Sequence, residues 1–124
     1  MPRHLHQRRA GEINYTTATA VFILACIFAA GFVYLQQFNT EILPEAARED
    51  LQAKYRKVID YANANEGEYP PTDKIWNVLG GNMYDLWGNP IEYEYDGLNQ
   101  PRLISHGRDG RAGGEGPDAD ISIP

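Results

Sequence analysis

Apolar and polar positions fall into three successive patterns along the chain. The first is a run from Ile13 to Thr40 without a single charged residue. Within it, Thr16–Leu35 is apolar except for Thr16, Thr17, Thr19 and Gly31. A helix of that length rises roughly 30 Å, the thickness of a hydrocarbon core. Tyr15 and Tyr34 stand at its two ends, where interfacial aromatics belong. A cleaved signal peptide has an apolar stretch of only ~7–15 residues followed by a small-residue cleavage site. No Ala-x-Ala site precedes Gln36-Gln37-Phe38. A fully buried core helix needs a larger protein around it. The pattern therefore predicts a retained transmembrane helix.

The second pattern has helical spacing. Pro44 is expected to interrupt the helix, which resumes with Glu45, Glu49 and Asp50 near its start, favourable for the helix dipole. Leu51, Tyr55, Val58, Ile59 and Ala62 then form one apolar stripe, with Lys54, Lys57 and Asp60 assigned to the opposite face. Such a stripe serves either a partner or the chain's own sheet, and packing against its own sheet is the simpler reading. Gly67 stops the helix and Pro70-Pro71 prevents an immediate restart. Thr72-Asp73 can cap a short helix through Leu79, ended by Gly80-Gly81. The third pattern is alternation. Ile91–Tyr95 alternates apolar with acidic residues, Asp96–Pro101 reads as a turn, and Arg102–Ser105 as the returning strand. The fold class expected is α+β: a long N-terminal helix, transmembrane in its first half, packed on a small antiparallel sheet.

Charge orients this arrangement. The chain has 124 residues, a mass of 13.9 kDa and a formal net charge of −6, which is one domain's worth of sequence. Arg3, Arg8 and Arg9 precede the apolar run. Beyond it, Arg48 and Lys54 are outnumbered by Glu41, Glu45, Glu49 and Asp50. The positive-inside rule then places the N-terminus in the cytoplasm. The resulting division is a basic stub at 1–12, a membrane helix at 13–40 and an exported domain at 41–124. The exported part holds 8 basic and 16 acidic residues, a balance that argues against a nucleic-acid partner. The single cysteine, Cys26, lies mid-span as a small apolar filler and excludes an internal disulfide or a Cys-rich zinc module.

The chemically distinctive segment is His106–Ile121, with glycines at 107, 110, 113, 114 and 116. Such a loop loses much chain entropy on ordering. Asp109, Asp118 and Asp120 flank the glycines, and neighbouring carboxylates repel unless a cation neutralises them. Carboxylates with backbone carbonyls are the hard oxygen ligands calcium takes. EF-hand spacing fails, because positions 3 and 5 counted from Asp109 are Arg111 and Gly113. Gly113–Asp118 matches one calcium nonapeptide, but that motif works by stacking repeats. Arg108 and Arg111 can neutralise the acids instead of a metal, so a calcium loop and a solvated tail stand as equal alternatives on composition. No phosphate-loop Lys is present. Ser105 and His106 are chain neighbours without the facing geometry of a nucleophile and its base. The carboxylates have no evident substrate cleft for acid–base chemistry. An enzyme is not expected.

The order of three segments resembles the major, G-type pseudopilin of bacterial type II secretion systems, within the type IV pilin-like class. They are Glu68-Tyr69-Pro70-Pro71-Thr72, the run Asp85-Leu86-Trp87-Gly88-Asn89-Pro90-Ile91-Glu92-Tyr93, and Ser105–Gly110 with Gly113–Ile121. The resemblance implies a non-enzymatic, single-pass inner-membrane subunit with a periplasmic domain. Its helix would pack against those of other pseudopilin subunits to build a pseudopilus in contact with membrane lipid and the inner-membrane secretion machinery. It also implies one structural calcium ion held by the side chains of Asp109, Asp118 and Asp120 and the backbone carbonyls of His106 and Arg111. At the N-terminus it implies leader cleavage between Gly11 and Glu12, methylation of the new terminus, and Glu12 as the assembly charge. Here the sequence departs from the pattern: Glu12 stands where the family has Phe, and Thr16 where it has Glu. That departure keeps a second reading open, a membrane-anchored periplasmic binding module of the same fold that does not polymerise.

Overall fold

The computed structural model describes residues 14–124, so Gly11 and Glu12 lie outside the described residues. The chain divides into two units, Met1–Leu35 and Gln36–Pro124. The described part of the first is helical. Helix α1 spans Tyr15–Gln37 and buries none of its residues, so an apolar surface is exposed along its whole length. This is the one helix among the described residues that is long and apolar enough to cross a membrane.

The backbone stays helical past Pro44. A π-helical turn, Phe38–Ile42, leads into helix α2, Leu43–Ala64. The expected interruption at Pro44 is thus absent. Proline lacks the N–H that would bond Thr40, and its ring crowds that carbonyl in an α-helix. The wider π turn, closed by the Leu43 N–H on the Phe38 carbonyl, lies directly before it. Thr40 adds a local tie, its hydroxyl donating to the Gln36 carbonyl at 2.9 Å.

Helix α2 buries Leu51, Tyr55, Val58 and Ala62 of the expected stripe, with Ile59 half-buried, and Ala47 one turn before it. Lys54 corrects the expectation that it faces solvent. It lies three residues after Leu51, hence on the same face, and only 5% of it is exposed. Its ammonium reaches the Asp50 carboxylate and donates to the Tyr84 carbonyl at 3.1 Å. The helix ends as expected. Gly67, at φ +89°, returns its N–H to the Ala62 carbonyl at 2.8 Å. The short helix α3 covers Ile75–Val78 and buries Ile75 against the same core.

Three strands complete the second unit: β1 (Glu92–Glu94), β2 (Arg102–Ser105) and β3 (Ile121–Ile123), in the order β1-β2-β3 and antiparallel throughout. Tyr93 pairs with Leu103, and Leu103 with Ile123. The pleat therefore turns Tyr93, Leu103, Ser105 and Ile121 to the buried side, while Arg102 and Glu94 form a cross-strand ion pair at 2.6 Å outside. Leu51, Val58, Leu79 and Leu103 are at most 1% exposed and form the centre of the core between α2, α3 and the sheet. Two buried phenols tie loops to it. The Tyr93 hydroxyl donates to the Pro70 carbonyl at 2.8 Å and the Tyr55 hydroxyl to that of Pro101 at 3.0 Å. Burial holds both phenol pKa values above the ordinary range. The architecture is the expected α+β, pilin-like one. Strand β3, which no alternation announced, is the addition.

Candidate functional site

Strand β2 delivers the chain to the loop 106–120, and β3 takes it away again. Closure begins at Gly107, where φ is +69° and a β-carbon would stand 2.7 Å from the Asp118 carbonyl group. Gly114 approaches still closer, its β-carbon position lying 2.5 Å from the Asp118 oxygen. Only glycine fits either place. The Arg108 N–H donates to the Pro117 carbonyl at 2.9 Å, joining the two limbs, and a 3₁₀ turn forms at Gly116–Asp118. That turn packs against the π-helical turn Phe38–Ile42 within the same unit. The loop is closed by these bonds, with residues 108–116 exposed to solvent.

A second loop braces it. The Asp85 side chain is buried and accepts from three groups. Its Oδ1 takes the N–H of Trp87 at 3.0 Å and of Asn89 at 2.8 Å, and its Oδ2 takes the Ser105 hydroxyl at 2.7 Å. A buried carboxylate is tolerated only when satisfied this way. Asn89, so positioned, donates its Nδ2 to the carbonyls of Gly107 at 2.9 Å and Arg108 at 3.2 Å. Its side chain also lies 2.9 Å from where a β-carbon on Gly110 would stand. Trp87 packs against the core at this turn, as expected.

The candidate ligands lie on this one loop, and each of the three carboxylates has a partner. Asp109 Oδ1 accepts the Arg111 N–H at 3.0 Å. Asp118 receives the Arg108 guanidinium on both oxygens, at 2.9 and 3.1 Å. Asp120 accepts the Gly113 N–H at 3.0 Å and contacts His106 Nδ1 at 3.2 Å. The opposite ring nitrogen of His106 meets Glu92 at 2.9 Å. Glu92 and then Asp120 raise the His106 pKa, and the Gly113 N–H, then His106, lower that of Asp120. The carbonyls of His106 and Arg111 take no part in the loop's turn and side-chain hydrogen bonds among the described residues. The loop's candidate donors are hard oxygens, the kind that calcium takes, while the tight positions at Gly107 and Gly114 are filled by the Asp118 backbone itself. The carboxylates do not converge as a group of three metal-ligating side chains among the described residues.

Sequence reasoning singled out the acids, and Arg108 as a charge that can neutralise them, but not the residues that brace the loop. Asp85, Asn89 and Ser105 went unassigned, and Glu92 was read only as a strand residue. The signal was present in Asp85-x-x-x-Asn89, two turn formers around Trp87-Gly88.

The family described as type II secretion system protein G matches residues 44–123, well over half of the chain. This chain belongs to the type II secretion system protein G family. The match begins at Pro44 and ends within β3, so it takes in α2, the Asp85–Asn89 brace, the sheet and the glycine loop. No curated protein matches the chain. As a family member it has a structural role in type II secretion, alongside other components of that system.

Proposed function

We propose that the protein is a structural pseudopilin subunit, anchored by α1 in the inner membrane with its N-terminus cytoplasmic and its second unit periplasmic. It assembles through helix packing with other pseudopilin subunits into a pseudopilus, in contact with the inner-membrane secretion machinery. The observation that carries this reading is the fully exposed apolar helix α1, which needs lipid or neighbouring helices around it. One calcium ion would be held by Asp109, Asp118 and Asp120 with the carbonyls of His106 and Arg111. Bound, it supplies positive charge that neutralises the acidic loop and so stabilises the folded domain. Cleavage after Gly11, methylation at Glu12 and assembly through the Glu12 charge belong to the same reading.

Deletion of the gene in its source bacterium tests the role. Loss of exoprotein from the medium, with this protein in filaments sheared from complemented cells, is the expected result. Undiminished secretion overturns it. N-terminal sequencing of the membrane-extracted protein tests processing. The expected start is Glu12, whereas an intact Met1 or Pro2 start supports the permanently anchored, non-polymerising module.

A further inference from the structure

The β1–β2 hairpin and Thr72 line an open cleft of about 530 Å³. Its aromatic side is Tyr93 and Tyr95. The Tyr95 ring is half-buried and fixed by two neighbours, edge-on to Tyr69 at 5.8 Å and tilted to Tyr93 at 6.3 Å between ring centres. A ring already held in place offers apolar surface at little entropic cost. The charges around it are spent. Arg102 pairs with Glu94 at 2.6 Å, and Asp96 accepts two backbone N–H groups and the Asn99 amide. Neutral groups are what remains. The Tyr93 hydroxyl is used on the Pro70 carbonyl, but those of Tyr95 and Thr72 have no protein partner among the described residues. Asn99, oriented by the bond its Nδ2 makes to Asp96, keeps its amide oxygen unbonded among the described residues as well.

A hydroxyl both donates and accepts, and an amide oxygen accepts. Such groups beside a fixed ring match a molecule with an apolar face and a rim of hydroxyls, which is the surface of a sugar ring. A cation would have to displace Arg102 from Glu94 or compete with three donors for Asp96, and an anion would meet both carboxylates. We propose that this cleft is a binding site for a neutral oligosaccharide, one sugar ring lying on Tyr95 and its hydroxyls bonded to Thr72 and Asn99. None of the lining residues belongs to the glycine loop, so the site is independent of calcium and goes beyond the structural role in secretion. N-acetylated glycans and plain glucans share this chemistry.

Titration of the full chain with chitotetraose, maltotetraose and tetralysine tests this, in a detergent without a sugar headgroup, followed by amide chemical shifts in NMR. At least one saccharide is expected to give saturable shifts centred on Thr72, Tyr95 and Asn99, with none there from tetralysine. Saturation by chitotetraose alone identifies an N-acetylated glycan as the ligand, by maltotetraose alone a plain glucan, and by both the ring chemistry they share. Tyr95→Ala is expected to weaken binding roughly tenfold, and Tyr95→Phe, which keeps the ring, by less. Thr72 is exposed, so Thr72→Ala leaves the packing intact and should weaken binding roughly threefold through one lost hydrogen bond. Leu98→Ala, in the same turn but outside the cleft lining, should leave the affinity unchanged. No saturable shifts with either saccharide overturn the proposal, as do shifts centred elsewhere. Unchanged affinity in both Tyr95→Ala and Thr72→Ala overturns it too. Tetralysine binding in the cleft more tightly than either saccharide replaces it with a site for a cationic peptide.

Discussion

Asn89 donates its side-chain amide to the carbonyl of Gly107, eighteen positions along the chain, at 2.9 Å. This bond joins the turn before the sheet to the glycine loop after it. It depends on Asp85, which holds the Asn89 backbone in place and ties the same turn to Ser105 at the end of β2. Asn89→Ala leaves the buried Gly107 carbonyl without that donor. The expected loss is ~1–3 kcal/mol of stability, read as a lowered melting temperature of the full chain in detergent. Asn89→Asp turns a carboxylate toward two carbonyls and is expected to cost at least as much.

The loop's closure depends on glycine at particular places. A β-carbon on Gly107 meets the Asp118 backbone at 2.7 Å, where no flexible side chain can yield. Gly113 faces open space and has only its φ of +89° to protect it. Gly107→Ala is therefore expected to cost well over ~1 kcal/mol, and Gly113→Ala distinctly less. Hydrogen exchange should show residues 106–120 unprotected in the first variant and protected in the second.

The core predicts a contrast between two leucines. Leu103 is fully buried at the centre of β2, whereas Leu98, in the turn before it, is 90% exposed. Leu103→Ala is expected to destabilise by ~2–5 kcal/mol through lost burial and the cavity left behind. Leu98→Ala should stay within ~0.5 kcal/mol of wild type. Thermal melts of the two variants side by side check this.

The turn between β1 and β2 carries a pH signature. Asp96 accepts the N–H groups of Asn99 and Leu98, each at 2.8 Å, and the Asn99 amide at 2.6 Å. These bonds, that of the Asn99 N–H first, hold its carboxyl at about 2. A carboxylate depressed in the folded state stabilises above its unfolded pKa of ~3.9 and loses that contribution as pH falls through the folded value. The stability gap between wild type and Asp96→Ala should be constant above about pH 4 and shrink from there toward pH 2. Carboxyl NMR titration should place the Asp96 midpoint well below that of a free aspartate.

What the sequence disclosed follows from physical range. The long apolar helix, the α2 stripe and the strand at 102–105 are local patterns, so the sequence alone discloses them. The ends set by Gly67 and Gly80-Gly81 are local too, because both rest on positive φ. Lys54 departs from its expected face because its three-residue offset from Leu51 puts it on the buried side, where Asp50 and the Tyr84 carbonyl receive its charge. The helix continues through Pro44 because the π turn before it absorbs the proline, which no composition announces. Strand β3 is three residues long and gains its identity only by pairing with β2. Among the candidate ligands the acids could be named from composition and resemblance. Arg108, on the same loop, could be named with them as a neutralising charge, whereas Glu92 on β1 meets His106, and Asn89 the Gly107 carbonyl, only by tertiary closure.

The proposed calcium ion in this structural secretion subunit is tested most directly on the wild-type full chain in detergent. Calcium titration by calorimetry, with melting in calcium and in chelator, is the measurement. The account predicts one ion bound per chain and a melting temperature that rises with calcium concentration, as binding to the folded state alone requires. No heat of binding, together with identical melting in calcium and in chelator, would contradict it.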